Sequence, residues 1–296
     1  MITPARKPNW FKINRLAVGE RASEVLRTIA ENDLHTVCTS ARCPNKGSCF
    51  AEGTATFMIL GDVCTRACRF CDIATGRPAG EDLLEGERVA KAASSMGLRF
   101  VVVTSVCRDD LADEGAGAFA GTIRALRARI PSVRIEVLTP DFSGRRECLQ
   151  TVLEAGPDVF NHNLETVERL TPRIRSKARY NRSLEVLLAV RDMAPHLPTK
   201  SGLMVGLGES REELIQAFRD LAGVGVQRLT LGQYLQPSRR HHPVIRYYEP
   251  QEFEELAAEA KAAGIRAVLA GPLVRSSYHA GTFVGDFGAA GASAEP

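Results

Sequence analysis

Three thiols stand at Cys64, Cys68 and Cys71, with three and then two residues between them. At that spacing, one short loop can bring all three onto a single metal centre, and thiolates are the ligands an iron–sulfur cluster requires. Three ligands do not saturate a four-iron cluster. One iron is left open, where a small molecule can bind and receive an electron. A zinc knuckle also clusters Cys, but it wants a closed set of four Cys or His ligands. The nearest histidines, His35 and His162, lie well outside the loop. A disulfide framework needs an oxidising compartment, and nothing in the chain signals one. Iron–sulfur is therefore favoured for this loop, with zinc as its rival.

A second set, Cys38, Cys43 and Cys49, lies just upstream in a turn-rich run containing Pro44 and Gly47. Such a run suits a loop folded tightly around something. It too offers three ligands and no nearby fourth, and taken alone it leaves zinc and an iron–sulfur cluster equally open. Six of the eight cysteines fall between Cys38 and Cys71, so chance is a poor explanation. Cys107 and Cys148 remain. A free Cys is commonly a small buried hydrophobe, and Cys148, inside a helical stretch, fits that.

The chain has 296 residues, enough for two domains or for one α/β barrel. Hydrophobic content of 44% and charged content of 25% describe an ordinary globular protein. A net charge of +3 is too small to argue for nucleic acid; it permits a modest attraction to an acidic partner. The first residues, Met1 to Lys7, lack the apolar core of a signal peptide. No apolar run approaches the roughly 20 residues of a membrane span. The expectation is a cytoplasmic protein with reduced thiols, bound neither to membrane nor to nucleic acid.

The elements that must position these thiols follow from periodicity. A basic, Pro-containing arm (Arg6 to Lys12) carries the one Trp, Trp10, expected as a packing anchor. Val25, Leu26 and Ile29 predict a helix over 20–32. Apolar runs predict strands over 54–60, 100–104, 133–138, 158–160, 201–205 and 226–231. Helical patterns predict helices over 82–96, 115–129, 144–154, 165–170, 183–193 and 211–221. Six strands each followed by a helix describe a parallel (β/α)6 arrangement, and strands without alternation are buried on both faces. A helix over 251–263 and a seventh strand pattern over 266–269 lie beyond the repeat. The fold class expected is a partial (β/α)6 TIM-like barrel with N- and C-terminal extensions. Its divisions are 1–53, 54–235 and 236–296.

In such barrels chemistry collects at the C-terminal strand ends. Polar clusters stand there: Thr104-Ser105, Thr139-Pro140-Asp141, Asn161-His162-Asn163, Gly206-x-Gly208-Glu209, and Gln233-Tyr234. Gly206 and Gly208 alone suit a turn and helix start, although two glycines also let a backbone approach a flat ligand closely. Five of the six residues 161–166 carry hydrogen-bonding side chains, and an N-cap explains one of them, not five. Arg175 suits a solvated surface, yet a ligand carboxylate needs a cation and a bidentate Arg supplies one. Two serines in the run Arg275-Ser276-Ser277-Tyr278 would ordinarily be caps or solvated hydroxyls.

Cys-x3-Cys-x2-Cys with Phe70 before its last Cys resembles the signature of the radical S-adenosylmethionine enzymes. Joined to Cys-x4-Cys-x5-Cys and to Arg275-Ser276-Ser277-Tyr278, it is similar to the lipoyl synthase family within them. Two further runs, 158–166 and 230–238, add to a likeness covering Arg6 to about Ala280. The resemblance implies two 4Fe-4S clusters and S-adenosyl-L-methionine as cofactors. Cys64, Cys68 and Cys71 would hold the electron-donating cluster, whose open iron binds S-adenosylmethionine and releases a 5′-deoxyadenosyl radical. Cys38, Cys43, Cys49 and Ser277 would hold an auxiliary cluster sacrificed as sulfur source, with the C-terminal extension closing over it. Phe70, Thr104, Asn161, Asn163, Glu165, Arg175, Gly206 and Gly208 carry over as cofactor or substrate contacts, the two glycines against the adenine. The implied activity is that of a sulfurtransferase of lipoate biosynthesis, inserting sulfur at C6 and C8 of a protein-bound octanoyl-lysine. Partners implied are octanoylated lipoyl-carrier domains (2-oxoacid dehydrogenase E2 subunits, glycine cleavage H protein). An electron donor such as ferredoxin or flavodoxin and an iron–sulfur carrier protein are implied as well. The family usually has Asp where this chain has Cys107, so no carboxylate role carries over to that position.

Overall fold

The computed structural model describes residues 7–11, 20–41, 43, 45–46, 49 and 55–281. Arg6, Lys12, much of the turn-rich run between Cys38 and Cys49, Thr54 and the tail beyond Gly281 lie outside them. Eight strands form one sheet: β1 (His35–Thr36), β2 (Thr56–Ile59), β5 (Phe100–Ser105), β6 (Arg134–Leu138), β7 (Val159–Asn161), β8 (Thr199–Val205), β9 (Arg228–Gln233) and β10 (Ala267–Gly271), in that order. Two short strands, β3 (Val63–Cys64) and β4 (Ala74–Thr75), pair separately. β1 is antiparallel to β2, and every other pair in the large sheet is parallel. Among the described residues β1 and β10 are its two edges, so the barrel is open. The pattern over 266–269 becomes a seventh parallel strand, hydrogen-bonded along β9.

The Val-rich β5 and its neighbours are buried on both faces, the state that β-branched runs favour. The described helices are α1 (Glu20–Glu31), α2 (Val37–Ser40), α3 (Glu85–Ser95), α4 (Ala116–Arg129), α5 (Arg146–Glu154), α6 (Thr171–Ile174), α7 (Tyr180–Met193), α8 (Arg211–Gly223) and α9 (Pro250–Ala262), and the long connections follow β2 and β9. Fully buried Phe57, Phe119, Phe160 and Phe218 fill the layers between sheet and helices; each contributes about 1.5–3 kcal/mol. Helix α8 begins in a reciprocal capping box between Ser210 and Glu213. No described helix is long and apolar enough to cross a membrane.

Three expectations need correction. The helix over 165–170 does not form: Glu165 sits at φ +68° and bridges to Leu203, and helical turns begin only at Glu168. Backbone pairing with β8 explains this: the Glu165 N–H donates to the Gly202 carbonyl and the Met204 N–H to the Glu165 carbonyl, both at 2.9 Å, so residue 165 is held against the sheet instead of in a helical turn. The last strand of the repeat starts at Arg228, not Val226, because Gly225 at φ +85° and the Val226 N–H still close the end of α8. Trp10 is exposed; its neighbour Phe11 is the anchor, buried with its ring 5.4 Å from that of Tyr247.

Candidate active site

The loop bearing Cys64, Cys68 and Cys71 leaves the C-terminal end of β2 and is closed at its neck. β3 and β4 pair in parallel there, and the Gly76 N–H donates to the Cys64 carbonyl at 3.1 Å. Leu60 and Gly61, both with positive φ, make the turn into the loop, and the Leu60 N–H is held by the Glu85 carboxylate at 2.6 Å. From the neck outward the loop is tied to four strand ends. The Thr65 N–H and hydroxyl both donate to the Cys107 carbonyl at 3.0 Å, beyond β5. The Arg66 guanidinium is forked on Asp109 at 2.6 and 2.8 Å and reaches Asp141, beyond β6, at 2.7 Å. The Ala67 N–H donates to the Ser176 hydroxyl at 3.0 Å, and the Arg69 N–H to the Ile174 carbonyl at 2.8 Å, both beyond β7. Beyond β9, the His242 N–H donates to the Arg69 carbonyl, and the His241 Nε2 lies 3.0 Å from the Cys71 carbonyl. Backbone so thoroughly hydrogen-bonded fixes where the three sulfurs sit.

The thiols differ in environment. A hydrogen bond with the Cys107 thiol, the N–H groups of Arg66 and Cys107, and the Arg66 charge bring Cys64 down to about 6, against the opposing effect of burial. Cys107 is pushed up by the same bond and by burial. Burial raises Cys68, with the Arg175 charge opposing it. Cys71 is pushed up to about 12 by burial, with the charges of Cys68, Cys64 and Glu165 adding to it. Thiols held protonated in this way surrender their protons on metal binding. Among the described residues no three Cys, His, Asp or Glu groups are gathered as for a single metal ion. A cluster binds each thiolate through a different iron, so its ligands need not share one point.

Inside the barrel, β6 to β9 present a charged floor. The Lys200 ammonium contacts both oxygens of Glu136 at 2.9 and 3.1 Å, with both side chains fully buried, and Asn161 donates to Glu136 at 2.9 Å. Glu136 is also the carboxylate whose charge acts on buried Arg228. Above that floor polar side chains approach the backbone closely. A Cβ on Gly202 would meet Asn163 Oδ1 at 2.7 Å and Thr230 Oγ1 at 3.0 Å. The buried Asn161 Oδ1, Asn163 Oδ1 and Thr139 Oγ1 have no hydrogen-bond partner. Buried acceptors are rarely left so, and an amine or hydroxyl ligand is what would satisfy them. The donor set and this polar cradle fit S-adenosylmethionine beside a cluster.

Other residues expected at the site are placed as follows. Asn163 Nδ2 donates to the Glu165 carboxylate at 3.0 Å; burial raises Glu165, and Arg175 and Asn163 oppose it. Arg175 is buried, donates to the Leu164 carbonyl and the Ser183 hydroxyl, and faces Cys68 and Glu165. His162 lies behind this wall between the Thr139 carbonyl and the Ser183 hydroxyl, lowered to about 4 by burial and the Arg175 charge. The Thr104 hydroxyl is engaged by the Leu138 carbonyl at 2.8 Å. Phe70 packs, half-buried, on the apolar cluster around β8 and β9. Gly206 and Gly208 have φ of +97° and +109°; the Glu209 carboxylate takes the Gly206 and Leu207 N–H groups, and Gln233 fills the space beside Gly206.

The first cysteine set lies by the other end of β2. Cys38, in α2, hydrogen-bonds Thr56, the first residue of that strand, and is raised chiefly by burial. Backbone bonds from Cys43 to Cys38, Lys46 to Cys43 and Cys49 to Asn45 gather the three. The C-terminal segment meets them there: Asn45 Nδ2 donates to the Leu273 carbonyl at 2.6 Å, and the charge of Cys43 acts on Arg275, which burial otherwise lowers. Half-buried Ser277 stands two residues beyond, in a turn closed by the Tyr278 N–H on the Arg275 carbonyl.

Residue spacing did not disclose Arg66, Asp109, Ser176, His241 or His242 as holders of the loop. Their only signal was polarity: Arg66 between two cysteines, and Asp109 and Asp141 next to strand ends.

With that geometry established, comparisons with known proteins are consistent. The family described as the radical SAM superfamily matches residues 58–221. Lipoyl synthase of Methylococcus capsulatus is 56% identical over 278 residues, covering 94% of this chain and 86% of that protein. Lipoyl synthase of Symbiobacterium thermophilum is 54% identical over 276 residues, covering 93% and 86%. Among solved structures, methylornithine synthase superposes with a TM-score of 0.55 at 14% identity, over 71% of this chain and 69% of that one. Streptococcus suis SuiB bound to S-adenosylmethionine gives 0.56 at 11%, over 76% and 54%. At such identities these structures speak for the fold alone.

Proposed function

Since the chain belongs to the lipoyl synthase family of the radical SAM superfamily, we propose that it inserts two sulfur atoms, at C6 and C8, into an octanoyl chain carried on a lysine of a lipoyl-carrier domain. The observation that carries this reading is the placing of two cysteine sets at opposite ends of one short strand. Cys38 meets the first residue of β2, and Cys64 lies beyond its last. Four residues of strand separate them by ~10 Å or more, and the unpartnered buried acceptors of Asn161 and Asn163 lie inside the same barrel. An extended acyl chain could present one methylene between two such centres.

An unactivated methylene has no acidic proton, so acid–base chemistry cannot begin the reaction. When bound, a cluster at Cys64, Cys68 and Cys71 would supply the electron that cleaves S-adenosylmethionine, and one at Cys38, Cys43, Cys49 and Ser277 would supply the sulfur. The chain's own residues do the positioning. Arg66, Thr65 and Ala67 hold the loop at fixed strand ends. Asn161 and Asn163 offer acceptors to an ammonium, and Arg175 offers the cation for a carboxylate. Neutral His162 keeps Ser183 and Thr139 in place behind them without adding charge. Ser277 offers an oxygen, a harder and weaker partner for iron than thiolate, which suits a site that must release its sulfur.

The test is anaerobic reconstitution followed by mass spectrometry of an octanoylated carrier domain after one turnover. Gain of two sulfurs on the acyl chain is expected; an unmodified chain, with 5′-deoxyadenosine formed and protein folded, would overturn the assignment of substrate.

A further inference from the structure

A cleft of about 700 Å³ opens beside the loop of Cys64, Cys68 and Cys71, lined among others by Arg175, Ser176, Lys177, Arg179, Asn181 and Arg182. It abuts the loop directly, because Ser176 takes the Ala67 N–H and the adjoining Ile174 carbonyl takes the Arg69 N–H. Its charge is one-sided. Between Arg173 and Arg182 there are five cations and no carboxylate, and only Glu168 and Glu185, at its sequence limits, add acid to the lining. Lys177 and Arg182 lean inward to Asp109 and Asp141 at 3.2 and 3.9 Å. Arg173 and Arg179 are exposed and, among the described residues, have no carboxylate within ion-pair distance. These features are not those of an acyl site: six of the twelve lining residues are charged.

We propose that this cleft is the docking surface for a small, acidic, one-electron carrier protein that reduces the centre at Cys64, Cys68 and Cys71. The proposal rests on the cluster assignment above. One electron leaves the reduced carrier, the carrier is oxidised by one electron, and no atom is transferred. Short-lived electron-transfer encounters bury little surface, and complementary charge supplies their orientation and rate. The exposed Arg173 and Arg179 steer the partner; the cleft then brings it against residues 174–176, whose hydrogen bonds run straight to the backbone flanking Cys68.

The experiment uses the anaerobically reconstituted holoenzyme and the double variant Arg179→Glu/Asn181→Glu. Both side chains are exposed and neither has a hydrogen bond to lose. Binding of fluorescently labelled bacterial flavodoxin is titrated at low and high salt, and cluster reduction is followed by electron paramagnetic resonance with reduced flavodoxin or with dithionite. Flavodoxin binding is expected to weaken by roughly tenfold at low salt, with the difference closing at high salt. Reduction by flavodoxin slows in parallel, while dithionite, a small ion that needs no docking, reduces both proteins alike. Arg173→Glu shows the same direction independently. Unchanged flavodoxin binding and reduction in both variants would overturn the proposal, as would loss of octanoylated-carrier binding with flavodoxin unaffected. Failure of dithionite to reduce the unmodified chain would instead remove the cluster assignment on which docking rests.

Discussion

Replacing Arg66 by Met tests what positions the radical loop. The guanidinium has 5% exposure and joins Asp141, at 0%, to Asp109, at 18%. Removing one partner of a buried ion pair costs about 3–5 kcal/mol, because a charge is left unpaired away from water. Asp109 keeps Lys177 at 3.2 Å, whereas Asp141 keeps a long bond from the Ser143 N–H and Arg182 at 3.9 Å. The loss therefore falls mainly on Asp141, near the lower limit, about 3 kcal/mol. Burial favours protonation of both carboxylates, but Arg66 outweighs it and holds each below the usual range. A carboxylate so depressed contributes stability above its unfolded value, near ~3.9, and loses it as pH falls through the lower folded value. Anaerobic urea unfolding followed by circular dichroism should show the deficit in full at pH 7 and shrinking below about pH 4. Arg66→Met/Asp141→Leu should recover more than half of it, since an apolar pair leaves no orphaned charge. A deficit under about 1 kcal/mol at pH 7 would mean that the pair is solvated in solution and does not hold the loop.

The other predictions concern the two cysteine sets and the segment that meets the first of them. Changing Cys64, Cys68 and Cys71 to Ala should abolish 5′-deoxyadenosine formation, while changing Cys38, Cys43 and Cys49 should leave it measurable without thiolated product; loss of cleavage in both folded variants would refute the division. Ser277→Cys should assemble an auxiliary cluster that yields sulfur poorly, because thiolate holds iron more firmly, with Ser276→Ala much less affected; the reverse ranking in a product assay would reassign the ligand. Gly232→Ala puts a Cβ 2.1 Å from the Val274 carbonyl oxygen, so the backbone before Arg275 must shift; bound iron should fall toward half while cleavage persists, and full iron content would show that the segment does not serve that cluster.

How much of this was legible in the chain depended on whether the signal was local. Valine runs placed β5 and its neighbours, and cysteine spacing marked both sets, because each pattern lies within a dozen residues. Lys200 was missed as a strand residue for a physical reason: a charged side chain reads as a strand boundary unless its partner is known. The partner, Glu136, is 64 residues from Lys200. Arg66 and Asp109, 43 residues apart, are the same case at the loop. Glu165 failed in the opposite sense, read as helical when its bridge to Leu203 ties it to β8 at positive φ beside Asn163. Each error joins residues distant in sequence, which only the closing of the sheet brings together. Ligand types could be read from one stretch of chain; the charges and hydrogen bonds that aim them come from four strand ends at once. Substitution at Asp109, Asp141 or Ser176 should consequently disturb the centre at Cys64, Cys68 and Cys71 although none of the three residues bears a metal-binding signature in the sequence.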